Sequence, residues 1–561
     1  MDMRHGISVS RLALADGTSV DLKQDAIVVV TGPNNAGKTT FLDELFTLFR
    51  RYGAASVKGL VVKDAEYAVH GAASEAYDFL LERHRLGNDK ETVLLSNGSY
   101  KRPSIEKQWE SGTLSLPIRE IFVNRLDPRS RLGATNQNDE VEIAADKLFY
   151  NEEVEISISE VFRRAFGVDM ILHRERKGGV FHIGDRKKLP SHKQRLTPQF
   201  KKQIEALPAV MQQGAGMRSF ARIALQILTS WKTITILDEP ELFLHPPQVR
   251  HLARLIASDA SPETQAFIAT HSESFVKGIL DFDDSRVTVI RLSRKGAKSY
   301  CSVLKSDDIR VLWGDPLFRT SNVLSALFHD VAVLVEGESD VRFIQTLMGA
   351  LFGAERLPDA EYFSCNGKSK IYQIAKALRS VDVPVVAMVD LDIFQNTSEL
   401  LRVYEVLGGR GSDIRLDAEL VKSSVESEKN YVSGRQFASE LDQITSSLAP
   451  KTPVPEQTIG QVRELLKRSS PWLRIKQDGL RGLNDALATR AAKRVIEAAA
   501  AKGLLINVEG ELEGFCRSVP NNNKSEWLTQ VLQRDFSTDP DLDDARLFAG
   551  IVRSALEKAI S

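Results

Sequence analysis

Apolar residues along this chain fall into two kinds of run. The first is a set of short, largely β-branched blocks: AIVVVT at 26–31, TITIL at 233–237, the block at 265–270, DVAVLV at 330–335 and VPVVAMV at 383–389. Blocks of this length with no polar face predict strands buried on both sides. The second kind repeats every three or four residues, as in FLDELFTLFR (41–50) and VRFIQTLMGALF (341–352), and predicts amphipathic helices packed on those strands. Residues 397–505 are mostly helical in pattern (ELLRVYEVL, QVRELLKR, ALATRAAKRVIEAAAAKG), with a Pro-rich break at LAPKTPVPEQ. The chain closes on an acidic turn, DFSTDPDLDD, and a last helix. The expected fold class is α/β.

Composition narrows the class without naming a function. At 561 residues the chain exceeds one hydrophobic core, so two to four domains are expected. Hydrophobic residues at 42% and charged residues at 27% fit a soluble globular protein. Seventy-four basic residues against 75 acidic ones leave a net charge of -1, so any nucleic-acid surface must be local. The isolated cysteines Cys301, Cys365 and Cys516 have neither zinc nor disulfide spacing. The N-terminus lacks the apolar core of a secretion signal, and no apolar run reaches the roughly 18 residues that span a bilayer. A cytoplasmic protein with no membrane partner is expected.

The strand at 26–31 runs into Gly32-Pro-Asn-Asn35-Ala-Gly37-Lys38-Thr39-Thr40 and then a helix, the strand–loop–helix context of a phosphate loop. Its glycines let backbone N–H groups face phosphate oxygens, and the helix N-terminus adds positive potential. Lys38 is expected on the β- and γ-phosphates of ATP, with Thr39 on Mg²⁺. Thr233–Leu237 leads into Asp238-Glu239-Pro240, where Asp238 would hold the ion through water and Glu239 would orient the attacking water. The strand at 265–270 ends in His271, placed to touch the γ-phosphate. This order resembles the ATP-binding-cassette ATPases, including their SMC-like and RecF-like branch. That class carries a signature turn that binds the nucleotide of a second subunit, and Gln213-Gly214-Ala215-Gly216-Met217 takes its place here. Gly214 and Gly216 leave two glycines in place, while alanine stands for the middle glycine of the signature and methionine for its glutamine. Either hydrolysis is slow, or ATP acts mainly as a conformational ligand.

Residues 54–205 read as an insert without sustained heptads, which excludes a coiled-coil arm. Within 171–202 stand ten Lys/Arg (Arg174, Arg176, Lys177, Arg186, Lys187, Lys188, Lys193, Arg195, Lys201, Lys202) against Glu175 and Asp185. A DNA-backbone contact and a solvated hairpin both fit this stretch. The partly apolar helical pattern at 140–165 suggests a dimer interface.

The second half carries carboxylates. The strand at 330–335 ends in Glu336-Gly337, and the strand at 383–389 ends in Asp390-Leu391-Asp392. Carboxylates at the C-terminal edges of neighbouring parallel strands converge in one crevice. No Lys or Arg partner is evident from the sequence, so a cation is expected to neutralise them. Oxygen-only ligands favour Mg²⁺ or Mn²⁺. Asp340, one helical turn beyond Glu336, is the expected ligand of a second ion.

Glu-Gly followed by Asp-x-Asp, with Asn366-Gly367-Lys368-Ser369 between, resembles a TOPRIM domain. An ATP-binding-cassette ATPase followed by TOPRIM resembles the OLD (overcoming lysogenisation defect) family of nucleases, to which the nuclease subunit of the Gabija antiphage system belongs. The resemblance implies further metal ligands at Glu511 and Glu513, in Gly510-Glu511-Leu512-Glu513, and an assisting lysine at Lys524. It implies an ATPase domain over 1–315 and a TOPRIM domain over 325–535 with a helical insertion at 397–505, then a C-terminal helix at 536–561. It also implies an ATP-regulated, metal-dependent DNA endonuclease or nickase in antiphage defence or DNA processing. Its partners would be DNA, a second or further copy of the chain, and a helicase or effector protein. Two other readings stay open: a RecF-like repair clamp with a non-catalytic TOPRIM, and an antiviral sensor that cuts RNA.

Overall fold

The structure is a computed structural model. It describes residues 5–49, 58–126, 152–304 and 323–561, apart from breaks at 83, 87–90, 96–97, 174–179, 190–196, 259–263, 282–284, 297, 356, 428–433, 447, 449–452, 469 and 521–522. The chain divides into two compact units, Met1–Phe328 and His329–Ser561.

In the first unit, strands β1 (Gly6–Leu14), β2 (Ser19–Asp21) and β4 (Val62–His70) form an antiparallel sheet in the order β2-β1-β4. The main sheet is built on β3 (Ile27–Thr31), every residue of which is buried. Its other strands are β5 (Val123–Leu126), β8 (Ile234–Asp238), β9 (Gln265–Ala269), β10 (Val287–Lys295) and β11 (Lys298–Leu304). The order is β11-β10-β3-β9-β8-β5, parallel except for β11. Two buried polar side chains tie the sheets together. Thr233 Oγ1 accepts from Ile7 N at 3.0 Å and donates to Ile7 O at 2.7 Å. The Gln265 amide exchanges bonds with Val9 N at 2.8 Å and Val9 O at 2.9 Å. Each satisfies groups that would otherwise be buried without partners.

This arrangement corrects the expectation of an insert over 54–205. That stretch supplies β4 and β5 to the two sheets, so much of it belongs to the ATPase core. Strand β5 is the four residues VNRL, too short and too polar to register as a strand by pattern. The hairpin β6–β7 (Asp169–His173, Val180–Gly184) and helix α2 (Glu152–Phe166) follow. The apolar face of α2, expected at a dimer interface, packs within the unit instead. Phe162 and Phe166 lie 6.1 and 5.3 Å from the ring of Phe220 on α3 (Ala215–Thr229). Residues 140–151 of that expectation lie outside the described residues. Of the basic stretch, Arg186 is tied to the buried Glu155 at 2.8 Å, while Lys187, Lys188, Lys201 and Lys202 are exposed. Arg174, Arg176, Lys177, Lys193 and Arg195 are not among the described residues. Helix α1 (Lys38–Leu48) follows β3, α4 (Pro246–Ser258) follows β8, and α5 (Glu273–Leu280) follows β9.

The second unit is a parallel sheet of β12 (Val331–Val335), β13 (Ala360–Ser364), β14 (Val385–Asp390) and β15 (Leu504–Asn507) in the order β13-β12-β14-β15. Helix α6 (Glu338–Phe352) leaves β12 and α7 (Lys368–Ser380) leaves β13. Between β14 and β15 lie helices that include α8 (Thr397–Val406), α9 (Gly411–Ser427), α10 (Leu473–Asp478) and α11 (Ala486–Ala500). The unit closes with α12 (Lys524–Val531) and α13 (Asp543–Ile560). Phe343 of α6 sits within 5.8 Å of Phe515, Trp527 and Phe536, and the same core takes Phe548, Val552 and Leu556 of α13. The closing segment 536–561, read as a C-terminal helix, contributes to this core through Phe536 and α13. No helix among the described residues is long and apolar enough to cross a membrane.

Candidate active site and nucleotide site

The nucleotide edge of the first unit follows from the register of β3, β9 and β8. Val30 pairs with Ala269 and Ala269 with Asp238, so the three strands end together. The loop after β3 turns through left-handed backbone at Gly32 (φ 139°), Asn35 (φ 63°) and Gly37 (φ 103°). At Gly32 a Cβ would lie 2.2 Å from Leu292 O, so only glycine fits. Lys38 is buried at the head of α1, with Thr40 in the same first turn. Its Nζ donates to Gly32 O at 2.6 Å and Pro33 O at 2.8 Å, folded back over its own loop. Burial pulls the ammonium down to about 8, against the opposing fields of Glu239, Glu241 and Asp238. Thr39 Oγ1 lies 3.5 Å from Asp238 Oδ1, and His271 Nε2 lies 3.6 Å from Glu239 Oε1. Burial and the nearby Lys38 hold His271 below its ordinary range, which favours neutral imidazole.

Glu241 was not foreseen from the sequence. Its Oε1 accepts from Thr270 Oγ1 at 2.7 Å and from His271 N at 2.8 Å, fixing the backbone of the histidine. Burial raises its pKa. Three carboxylates follow one another within four residues there, and pattern alone does not rank them. Gly214 and Gly216 begin α3, where a Cβ on Gly216 would meet Phe243 O at 2.5 Å. They take no part in the contacts just described.

In the second unit the sequence-level carboxylates do meet. Glu336 follows β12, Asp390 ends β14, and Asp392 stands in the turn after it. One oxygen from each lies within 4.8 Å of the others. Asp390 N donates to Glu336 Oε1 at 2.9 Å, which fixes the two relative to each other. Asp390 is held well above the carboxylate range, by burial first and then by Glu336 and Asp340. Burial raises Glu336 as well, more than Lys368 lowers it. Asp340 caps α6, its Oδ2 accepting from Gly337 N at 2.8 Å while Oδ1 takes Lys524 Nζ at 3.2 Å. Burial would lower the Lys524 ammonium, but Asp340, Asp390 and Glu513 outweigh it and the net shift is upward. Glu513 is raised by burial, and its Oε2 is buried without a hydrogen-bond partner. A small cavity of about 30 Å³ opens beside Glu336, Asp340 and Asp390, bounded on its apolar side by Ile344, Met388 and Phe515.

One expectation fails here. The carboxylates are not without basic partners. Lys368 Nζ contacts Asp392 Oδ1 and lies 3.7 Å from Glu336 Oε1. Lys476 Nζ lies 3.0 Å from both Asp392 Oδ2 and Glu511 Oε1. Lys368 opens a helix after a strand, a visible signal whose partner depends on the fold. Lys476 arrives from α10, more than eighty residues beyond Asp392, and no local pattern announces it. The remaining donors still fit a divalent ion: all are oxygens, Glu336 and Asp390 repel each other at close range, and Glu513 presents an unsatisfied oxygen.

Residues 27–277 match AAA_21, an AAA domain family, and residues 327–392 match the OLD-like TOPRIM domain (overcoming lysogenization defect protein-like). The chain is 25% identical over 173 residues to the Old nuclease of Escherichia phage P2, covering 29% of this chain and 28% of that protein. It is 30% identical over 173 residues to the OLD nuclease of Thermus scotoductus, covering 28% and 31%. The match thus spans less than a third of either relative. Among solved structures, the SMC head domain from Thermotoga maritima aligns with 54% of this chain and 100% of its own, at 10% identity and a TM-score of 0.27. The chain joins a region that matches the AAA_21 domain to one that matches the OLD-like TOPRIM domain, and over 173 residues it is similar to two OLD nucleases.

Proposed function

We propose that the chain is a divalent-metal-dependent DNA endonuclease or nickase whose cutting is governed by ATP. The observation that carries this reading is the approach of Glu336, Asp390 and Asp392 to within 4.8 Å at the C-terminal edge of a parallel sheet. Mg²⁺ or Mn²⁺ in such a site supplies Lewis acidity to a phosphodiester and activates water at neutral pH. Glu336, Asp390 and Asp392 hold one ion, and Asp340, Glu511 and Glu513 extend the donor set towards a second. Lys524, already on Asp340, neutralises charge at the phosphate. Lys38, Thr39 and Asp238 hold ATP and its Mg²⁺, with Glu239 and His271 at the γ-phosphate. Gly214 and Gly216 complete the nucleotide site of another copy, so the working unit is a homodimer or larger assembly. The exposed Lys187, Lys188, Lys201 and Lys202 offer backbone contacts to DNA. The role we assign is antiphage defence or DNA processing, alone or with a helicase or effector protein.

Supercoiled plasmid incubated with Mg²⁺ or Mn²⁺ tests this directly. The wild type nicks or linearises it, and Asp390→Ala loses at least about a hundredfold, the scale of removing one metal-held charge stabiliser. Equal cleavage by the two proteins would sink the assignment. Parallel incubation with RNA separates the two substrates.

A further inference from the structure

We propose that Lys368 and Lys476 form a phosphate-binding pair of the TOPRIM centre, held on Asp392 and Glu511 until a divalent cation takes those carboxylates. The proposal rests on the nuclease reading above and assigns roles that the motif residues leave open.

Both lysines are placed by deliberate backbone. Lys368 is the first residue of the 13-residue helix α7, after left-handed turns at Asn366 (φ 52°) and Gly367 (φ 119°). Gly367 N donates to Glu336 O at 3.0 Å, so the start of α7 abuts the carboxylates. Lys476 comes from α10, inside the helical segment between β14 and β15. Its carbonyl accepts from Glu511 N at 3.0 Å, and Leu480 N donates to Val508 O at 2.9 Å. At Gly510 (φ 101°) a Cβ would stand 2.1 Å from Lys476 O, so the glycine permits this approach. The backbone of Lys476 is thus locked to the acidic segment, while its side chain stays 36% exposed and is held there only by its ion pairs with Asp392 and Glu511.

Charge then selects the role. Asp392 is nearly buried, at 8% exposure, and two ammonium groups converge on it. Lys368 also faces Glu336 at 3.7 Å and Lys476 also faces Glu511 at 3.0 Å, so both ammonium groups are held by carboxylates that a divalent ion would claim. A polyanionic substrate gives the released ammonium groups a new partner. Once a divalent ion occupies Asp392, both ammonium groups face a 2+ charge within a few ångströms and must move off. Their flexible stems carry the charged heads outward towards solvent, where the non-bridging oxygens of a phosphodiester on the ion would lie. Lysine suits that task as a mobile point charge.

The test uses the full chain with Lys368→Met, Lys476→Met and Lys476→Arg, and two readouts that need no cleavage. Titration calorimetry reports Mn²⁺ affinity without nucleic acid, and duplex DNA affinity is measured in Ca²⁺. Removing a competing ammonium should tighten Mn²⁺ binding by roughly three- to tenfold in each Met variant. DNA affinity should fall about tenfold, with a salt slope shallower by about one per lysine lost. Lys476→Arg should keep the DNA affinity. Unchanged affinities, weakened Mn²⁺ binding in a variant that melts like the wild type, or tighter Mn²⁺ with unchanged DNA binding would each overturn the proposal. Asp390→Asn isolates the underlying reading. If it binds Mn²⁺ as the wild type does, the metal centre itself is misassigned, whatever the lysine variants show.

Discussion

Lys38 and Asp390 are both held away from their ordinary protonation behaviour by burial, in opposite senses. With Lys38 lowered to about 8, the buried ammonium is a penalty below that pH, relieved as pH rises towards the unfolded lysine range. Bound phosphate reverses the balance, because it needs the charged form. Nucleotide affinity should therefore fall as pH rises through about 8, with proton uptake on binding there. Calorimetry in two buffers of different ionisation enthalpy measures that uptake, and pH-independent affinity from 7 to about 9.5 would contradict it. Asp390 is raised well above its usual range, so stability falls as pH rises from the ordinary aspartate range towards that elevated pKa, and the full penalty is present above it. Asp390→Asn should then raise the melting temperature of the metal-free protein by about 2–4 °C near neutral pH, the shift for ~1 kcal/mol in a unit of this size. Addition of Mn²⁺ should stabilise the wild type and not the variant. Asp390 was legible because it ends a buried strand, and Lys38 because a glycine-rich loop carries a buried strand into the helix that it opens, so pattern and chemistry coincide. Glu241, Lys368 and Lys476 were not assigned roles, because their partners are set by closure of the fold rather than by neighbours in sequence.

The elements that position the site are of two sorts. Fully buried strands such as β3, β12 and β14 could be read from apolar runs alone. Strand β5 could not, since its four residues join the sheet only through β8, nor could the docking of α10 on residues 508–511. That docking depends on Gly510, so Gly510→Ala should push α10 off the acidic segment. Mn²⁺ affinity should fall about tenfold, as for other disturbed supports of metal ligands, and unaltered Mn²⁺ titration in a folded variant would contradict the coupling. On the opposite flank, α12 presents Lys524 while Trp527 anchors it, fully buried and donating from Nε1 to Cys516 O at 3.1 Å. Trp527→Ala should cost about 3–5 kcal/mol in denaturant unfolding of this unit. A loss under 1 kcal/mol, the range of a surface change, would show that the helix is held elsewhere.

At the scale of the molecule, nucleotide residues and carboxylates belong to separate units, each with its own sheet and core. Two chemistries in series were readable from motif order, whereas the extent of the ATPase core was not, because β4 and β5 are carried in a stretch that looks like an insert. Because each site is built within its own unit, Lys38→Ala should abolish nucleotide binding and leave Mn²⁺ affinity at the carboxylates within about twofold, the additivity expected of sites that share no partners. A large loss of Mn²⁺ binding in that variant would deny the independence of the two sites. The most direct test of the central claim is an anomalous difference map from crystals of the full chain soaked in Mn²⁺. The account predicts a peak bounded by Glu336, Asp390 and Asp392, with Lys368 turned away from Asp392. No peak there, with Lys368 still seated on Asp392, would contradict it.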